Sequence, residues 1–276
     1  MCSASPSPCR SALAALMLAF ASIGCPKRLG PALSEPDLHD AEKLWSQLRQ
    51  RASERHELRG QGKARLHSPK GDLSVAVNIA ARAPADLRFE ALSFFGEPVA
   101  LLVTSSGEFA LFDVRAPAFY TGRANAKNLA ELLPVALEPD EFVSVLLGAA
   151  PALPAGVPRE VVDAGDAVEL RLSVLPHPLR AVASEEERVI VGRDLRVLRV
   201  QRLATGPSPA ILWTAAFDDF ADDRRGRATP TTFHLSSGEA GLDLSLTTAE
   251  VDPEPPLPDG AFALGAPAGV PAHPLP

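Results

Sequence analysis

The chain is short of cysteine, of positive charge and of long apolar runs, and each shortage excludes something. Its three cysteines, Cys2, Cys9 and Cys25, all fall within the first 25 residues. The chain beyond them can form no internal disulfide. Basic residues are outnumbered: formal net charge is −7, which argues against nucleic acid as a partner, since that needs a basic face. After residue 25 no second hydrophobic span follows, whereas a membrane helix needs about 20 apolar residues. Catalytic signatures are missing too. There is no G-x-S-x-G, no H-E-x-x-H, no P-loop and no C-x-x-C. The six histidines, His39, His56, His67, His177, His234 and His273, show no metal-ligand spacing. The expectation is a protein that is not an enzyme and uses no cofactor and no metal.

What is present begins at the N-terminus. Arg10 precedes an uncharged, mostly apolar run from Ser11 to Ile23, followed by Gly24 and Cys25. That run is too short to span a bilayer and reads as a secretory signal. A cysteine directly after a small residue suggests a lipobox of the bacterial lipoprotein type, with cleavage before Cys25 and acylation of its thiol. Ser22 stands where leucine is usual in that pattern, so an ordinary signal with an incidental cysteine is the competing reading. A lone exported thiol is a liability unless modified, which favours acylation. One acyl chain anchors weakly, at about 0.8 kcal/mol per buried methylene. The lipoprotein modification adds more than one. The boundaries expected are a signal peptide at 1–24, a lipidated linker at 25–36, one domain at 37–265 and a proline-rich tail at 266–276. Pro26 after the cysteine does not match the aspartate that retains some lipoproteins at the inner membrane. The periplasmic face of the outer membrane is therefore the expected location.

Within the domain, hydrophobic periodicity changes twice. Leu38, Ala41, Leu44, Trp45, Leu48 and Ala52 recur at helical spacing, which predicts a helix over 37–55. From Leu58 the period becomes two. Leu73, Val75, Val77 and Ile79 alternate with polar or small residues, and strands follow near 86–92, 98–105 and 108–113. Ser105-Ser106-Gly107 predicts a hairpin turn. Asn125 can cap a short helix that ends before Pro134. A second starts at Pro139, with Asp140 and Glu141 in its first turn. Strands resume at 168–174, 187–191, 195–203, 210–217, 231–235 and 242–248, with a bulge suggested at Val197-Leu198. The tail, with eight prolines between 253 and 276, cannot sustain a helix or a central strand. The fold class expected is mainly β (α+β). It is a curved antiparallel sheet of about ten or eleven strands with an N-terminal helix and a mid-chain helical lid.

Three segments carry a resemblance. Leu92-Ser93-Phe94-Phe95-Gly96-Glu97-Pro98 is an apolar loop ending in glycine between two apolar strands. Tyr120-Thr121-Gly122 through Leu129, Leu132-Leu133-Pro134-Val135, Phe142 and Leu147-Gly148 has the spacing of a two-helix insert. Phe217-Asp218-Asp219-Phe220, then Pro230 and Phe233-His234-Leu235, reads as paired late strands, and Pro256-Leu257-Pro258-Asp259-Gly260-Ala261-Phe262 as a closing motif. In this order they resemble the lipoprotein carriers and receptors of the Lol pathway, LolA and LolB. The resemblance implies an unclosed β-barrel whose helical lid covers an apolar cavity for the acyl chains of lipoproteins or lipids. It implies transfer towards the outer membrane, with the membrane and a periplasmic carrier protein as partners.

Each residue singled out has a plainer reading beside the functional one. Trp45, Leu132, Phe142 and Leu146 are candidates for the acyl cavity and lid, or ordinary core. Phe94 and Phe95 are candidates for a membrane-contact loop, or two rings packed at a strand end. Asp218, Asp219, Asp222 and Asp223 could attract a cation, but Arg224, Arg225 and Arg227 follow and can neutralise them. The whole domain has a second reading: an adaptor lipoprotein with a filled core that docks another envelope protein through a sheet edge and binds no ligand.

Overall fold

A computed structural model of the chain describes residues 35–275 apart from Lys70, Ala136, Pro154, 175–183 and Pro207. The signal segment, Cys25, the linker up to residue 34 and His177 lie outside the described residues.

A short helix α1 (Glu35–Leu38) leads into α2 (Ala41–Ser53). Asp40 is the N-cap of α2 and accepts from the Lys43 N–H at 3.1 Å. Strands β1 (Glu57–Ser68), β2 (Gly71–Arg82), β3 (Asp86–Leu92), β4 (Pro98–Ser105), β5 (Glu108–Asp113) and β6 (Ala118–Arg123) then form an antiparallel meander. Two helices interrupt it, α3 (Ala126–Leu129) and α4 (Pro139–Leu146). The chain returns through β7 (Val157–Asp163), β8 (Ala167–Val174), β9 (Glu185–Gly192), β10 (Val197–Ala204), β11 (Ala210–Asp222), β12 (Ala228–Ser237) and β13 (Ala240–Val251). A three-residue β14 (Ala272–Pro274) lies near the C-terminus.

All fourteen strands belong to one sheet, in the order β14-β6-β5-β4-β3-β2-β1-β13-β12-β11-β10-β9-β8-β7. The first half of the chain and the second are thus two meanders joined along β1 and β13. The sheet is unclosed, with β14 at one edge and β7 at the other. Alternation along the strands sends Leu87, Phe89 and Ala91 of β3, or Val168, Leu170 and Leu172 of β8, to one face, where the helices sit.

The fourteen strands outnumber the expected ten or eleven, and three of them, β6, β7 and β14, have no counterpart in the sequence reading, each for a reason. In β6 only Phe119 is buried, so alternation is faint. Pro158, Arg159 and Glu160 disguise β7, which can carry them because it is an edge. Proline flanks and ends β14, again at an edge, and it pairs parallel where every other neighbour is antiparallel. Elsewhere the pattern served well. Ser106 and Gly107 both have positive φ (54° and 78°) in the two-residue turn between β4 and β5. The ladder between β10 and β9 shifts register between Val197 and Arg199, at the suggested bulge.

The helices cover the concave face unevenly. α2 lies over β7 and β8 with Leu44 and Leu48 buried. α4 packs against β2 and β3, with Phe142, Val143, Val145 and Leu146 all buried. Two hydrogen bonds hold the start of α4, the second of them tying it to the start of α3. The Glu138 N–H donates to Glu141 Oε2 at 2.9 Å, and Glu138 Oε2 accepts from the Ala126 N–H at 2.9 Å.

Candidate functional site

On the concave face, β2 to β6 leave a gap that no helix fills. The cavity measures about 290 Å³, close to the lower end of the ~300–1,000 Å³ usual for small-molecule sites. Its wall is formed by Leu73 and Val75 of β2, Ala91 of β3, Val99 and Ala100 of β4, Leu111 of β5 and Tyr120 of β6. Leu132, just after α3, covers it, and Asp113, Arg115 and Glu131 place charge around it.

Side-chain size explains the gap. Phe89 pairs with Leu102, and both are fully buried. One row further along the same face the pair becomes Ala91 with Ala100. Ala100 in turn pairs with Asp113. Where two large residues would meet the helices, two methyl groups and a short carboxylate stand instead. Removal of side-chain volume from a packed layer leaves space unless the backbone collapses, which a hydrogen-bonded sheet resists.

The same end of the sheet carries an apolar rim. The β3–β4 hairpin tip presents Phe94 and Phe95, 98% and 86% exposed. Their rings meet edge to face at 5.5 Å. The tip is ordered by its own backbone. Ser93 Oγ accepts from the N–H groups of Phe95 and Glu97, each at 3.2 Å, and Gly96 takes φ +81°. The register brings two more exposed residues to this end: Leu73 near the start of β2, 45% exposed, and Val114 just past β5, 37% exposed. Among the described residues, four of the six exposed large hydrophobics therefore ring the cavity end.

The candidates from the sequence divide accordingly. Leu132 lies at the cavity. Phe142 and Leu146, on α4 itself, are fully buried and do not line the cavity wall. Trp45 packs from α2, its Nε1–H donating to the Leu153 carbonyl at 3.0 Å, with the Arg49 guanidinium 4.4 Å from its ring centroid. It too is absent from the cavity wall. Phe94 and Phe95 are solvent-facing rather than packed at a strand end. The wall itself, above all the Ala91–Ala100 pair, escaped sequence reasoning. The signal that could have found it is the hairpin register, which pairs two alanines on an inward face.

Two polar clusters lie elsewhere. Arg202 is buried among Glu187, Glu185 and Glu141, at 2.6, 2.8 and 3.3 Å, and Glu187 Oε1 also accepts from the Ala152 N–H. Burial pushes the Glu187 carboxyl up, against the opposing pull of Arg202. On the convex face a row of five groups crosses five strands. His67 bridges Asp72 and Asp243 at 3.2 and 3.3 Å, and His234 bridges Asp243 and Asp218 at 2.8 and 3.4 Å. His67 is raised from its ordinary value, first by its hydrogen bond with Asp72 and then by that with Asp243. Burial pushes Asp243 upward, but the hydrogen bonds from His234 and His67 outweigh it and hold the carboxyl low. Among the described residues no group of three or more histidine, cysteine or acidic side chains is placed to hold a metal ion. In the acidic stretch after β11, Arg227 takes Asp223 at 2.6 Å and reaches Asp252 at 2.9 Å.

No protein-family model matches the chain, and no curated protein matches it in sequence. Solved structures do match in shape. A domain from Vibrio parahaemolyticus, named for outer membrane lipoprotein sorting, superposes with a TM-score of 0.58 at 10% identity, over 80% of this chain and 97% of that one. The fold is LolA-like. A LolA superfamily protein from Nitrosomonas europaea superposes with a TM-score of 0.54 at 12% identity, over 79% and 97% of the two chains. A DUF1329 family protein from Desulfovibrio piger gives 0.57 at 9%, over 82% and 97%. At such identities the likeness is one of fold. The LolA-like sheet is thus shared, while the Ala91–Ala100 gap and the Phe94–Phe95 tip are read from this chain itself. No described helix is long and apolar enough to cross a membrane.

Proposed function

We propose that this protein is a membrane-anchored periplasmic lipoprotein that takes an acyl chain into the cavity between β2–β6 and Leu132, and serves lipoprotein or lipid transfer at the outer membrane. One observation carries the reading: an apolar hollow and four exposed apolar residues share one end of an otherwise well-filled sheet. Burying methylenes is worth about 0.8 kcal/mol each, so even a partly inserted chain gains several kcal/mol. The exposed rim of Phe94, Phe95, Leu73 and Val114 would touch the lipid surface while a chain passes between membrane and cavity. Lipidation of Cys25 would hold the protein where that contact is frequent. The Vibrio neighbour's name, with its reference to lipoprotein sorting, supports the same theme.

The adaptor reading fits less well. It needs a strand edge open to a folded partner, whereas the β7 edge carries Pro158 and a register shift between Pro158 and Glu160, and β14 already pairs with β6 at the other margin. Native mass spectrometry of the protein, released from membranes in mild detergent, tests the proposal. Co-purified lipid, displaced by a fluorescent fatty acid, is the expected result. A well-folded sample that carries no lipid and binds no apolar probe would remove the proposal's main support. Cys25→Ser should release the protein from washed membranes, and its retention there in high salt would count against the anchor.

A further inference from the structure

The C-terminal strap is a feature that the cavity alone does not use. β14 pairs with β6 in parallel, Ala272 with Phe119, His273 with Tyr120 and Pro274 with Thr121. The Phe119 N–H donates to the Pro271 carbonyl at 3.2 Å, and the Leu275 N–H donates to the Thr121 carbonyl at 2.6 Å. Leu275 packs on the main core. It lies so close over Gly122 that a Cβ there would come within 2.8 Å of the Leu275 oxygen. The His273 ring sits 5.5 Å from Tyr120, and Tyr120 is part of the cavity wall. A slot for an extended chain therefore runs along β6, directly beside the cavity.

The present occupant holds that slot weakly. Its three paired residues are all exposed, and Pro271, whose carbonyl faces β6, has no N–H to give beside it. Its direction is informative. Because the strap runs parallel to β6, a chain that replaces it in the same sense begins beside the β5–β6 turn. Asp113 and Arg115 line the cavity there. A polypeptide with an acyl group on its first residue could then lay the acyl chain in the cavity and its next residues along β6. A free lipid would use the cavity only.

We propose that the β6 edge is a docking site for an extended polypeptide acylated at its N-terminus, and that the C-terminal strap is a resident strand displaced when such a chain loads. The proposal rests on the cavity reading and adds strand pairing to it. Displacement also frees Tyr120 from His273, so that one wall of the cavity loosens as the strap leaves.

The test locks the strap. In the full chain with Cys2, Cys9 and Cys25 changed to serine, Thr121→Cys and Pro274→Cys place two thiols on paired residues. Neighbouring strands lie about 4.7–4.9 Å apart, within disulfide reach. Thr121 follows cavity-lining Tyr120 and so faces the other side of the sheet. The probes are palmitate, a proline-free eight-residue peptide with an N-terminal palmitoyl group, and the same peptide with proline at alternate positions. With the lock reduced, the palmitoyl-peptide should bind about tenfold more tightly than palmitate, as two or three main-chain hydrogen bonds allow. Oxidation should abolish that advantage and leave palmitate unchanged. The proline-bearing peptide should behave like palmitate with no lock at all. An advantage that survives both oxidation and proline overturns the slot while leaving the cavity reading intact. Failure of all three probes to bind overturns both.

Discussion

The two halves of the sheet use the same strand geometry and end differently. In the C-terminal half, β8 to β13, the concave face is filled by Trp213, Phe217, Phe233 and a run of buried leucines and valines. It even encloses Arg202 with three glutamates. In the N-terminal half the matching layer thins to Ala91 and Ala100 at one end, and a cavity results. Backbone and curvature cannot account for the contrast, because both halves are antiparallel meanders of one sheet. A few paired positions decide whether a half stores stability or leaves room for a ligand.

The contrast is broken most severely at Arg202. Arg202→Met leaves Glu185 and Glu187 in the interior without their guanidinium. Removing one partner of a buried ion cluster costs about 3–5 kcal/mol, and Glu187, already pushed up by burial, should be driven further towards its neutral form. A urea titration should show this loss, and a midpoint close to that of the parent would mean that the cluster contributes little. The same chemical change in both halves comes next. Ala215→Leu, in the filled half, should overpack and cost about 1–3 kcal/mol. Ala100→Leu should shift stability by under about 0.5 kcal/mol while weakening an acyl probe about tenfold, by taking its space. Equal stability losses for the two would show that the hollow is not a real void in solution.

At the rim, Phe95→Glu should leave the melting temperature nearly unchanged, because an 86% exposed ring contributes little to the core. Its lipid loading from vesicles should fall, since a carboxylate resists the acyl region. A large loss of stability would instead return Phe95 to a packing role. The smallest effect concerns pH. His67 has a raised folded-state value, so its contribution is present in full below its unfolded value near 6.5 and fades as pH rises through the higher folded value. Melting curves of the parent and His67→Gln should therefore converge between neutral and alkaline pH, and a gap that widens there would contradict the assignment.

How much of this was legible beforehand follows from the range of each signal. Alternation and helical spacing act within about ten residues, and they located α2, α3, α4 and most strands. The Ser106-Gly107 turn and the bulge by Val197 were visible because both are local. β6, β7 and β14 were not, because edge or weakly buried strands carry proline and charge that a buried strand would forbid. The candidate site was half legible. Phe94 and Phe95 stood out as an apolar pair in a loop, and Leu132 as an apolar residue at the end of the expected short helix. Phe142 and Leu146 stood out for the same apolar character and turned out to be the plug of the core. Nothing local separates a lid residue from a plug. The row of His67, Asp243 and His234 was equally hidden, since His67 and Asp243 stand 176 residues apart in sequence.

One detail of the edges has a further consequence. Pro274 follows His273 and precedes Leu275, whose N–H points to β6, so the missing donor of Pro274 lies on the outer side. At the opposite end β7 carries Pro158 and a register shift. An open sheet of fourteen strands is therefore terminated by proline at both margins. If the chain is tethered to a bilayer, its copies diffuse in two dimensions and collide often. Blunt margins let such copies crowd side by side without zipping into a continuous ribbon.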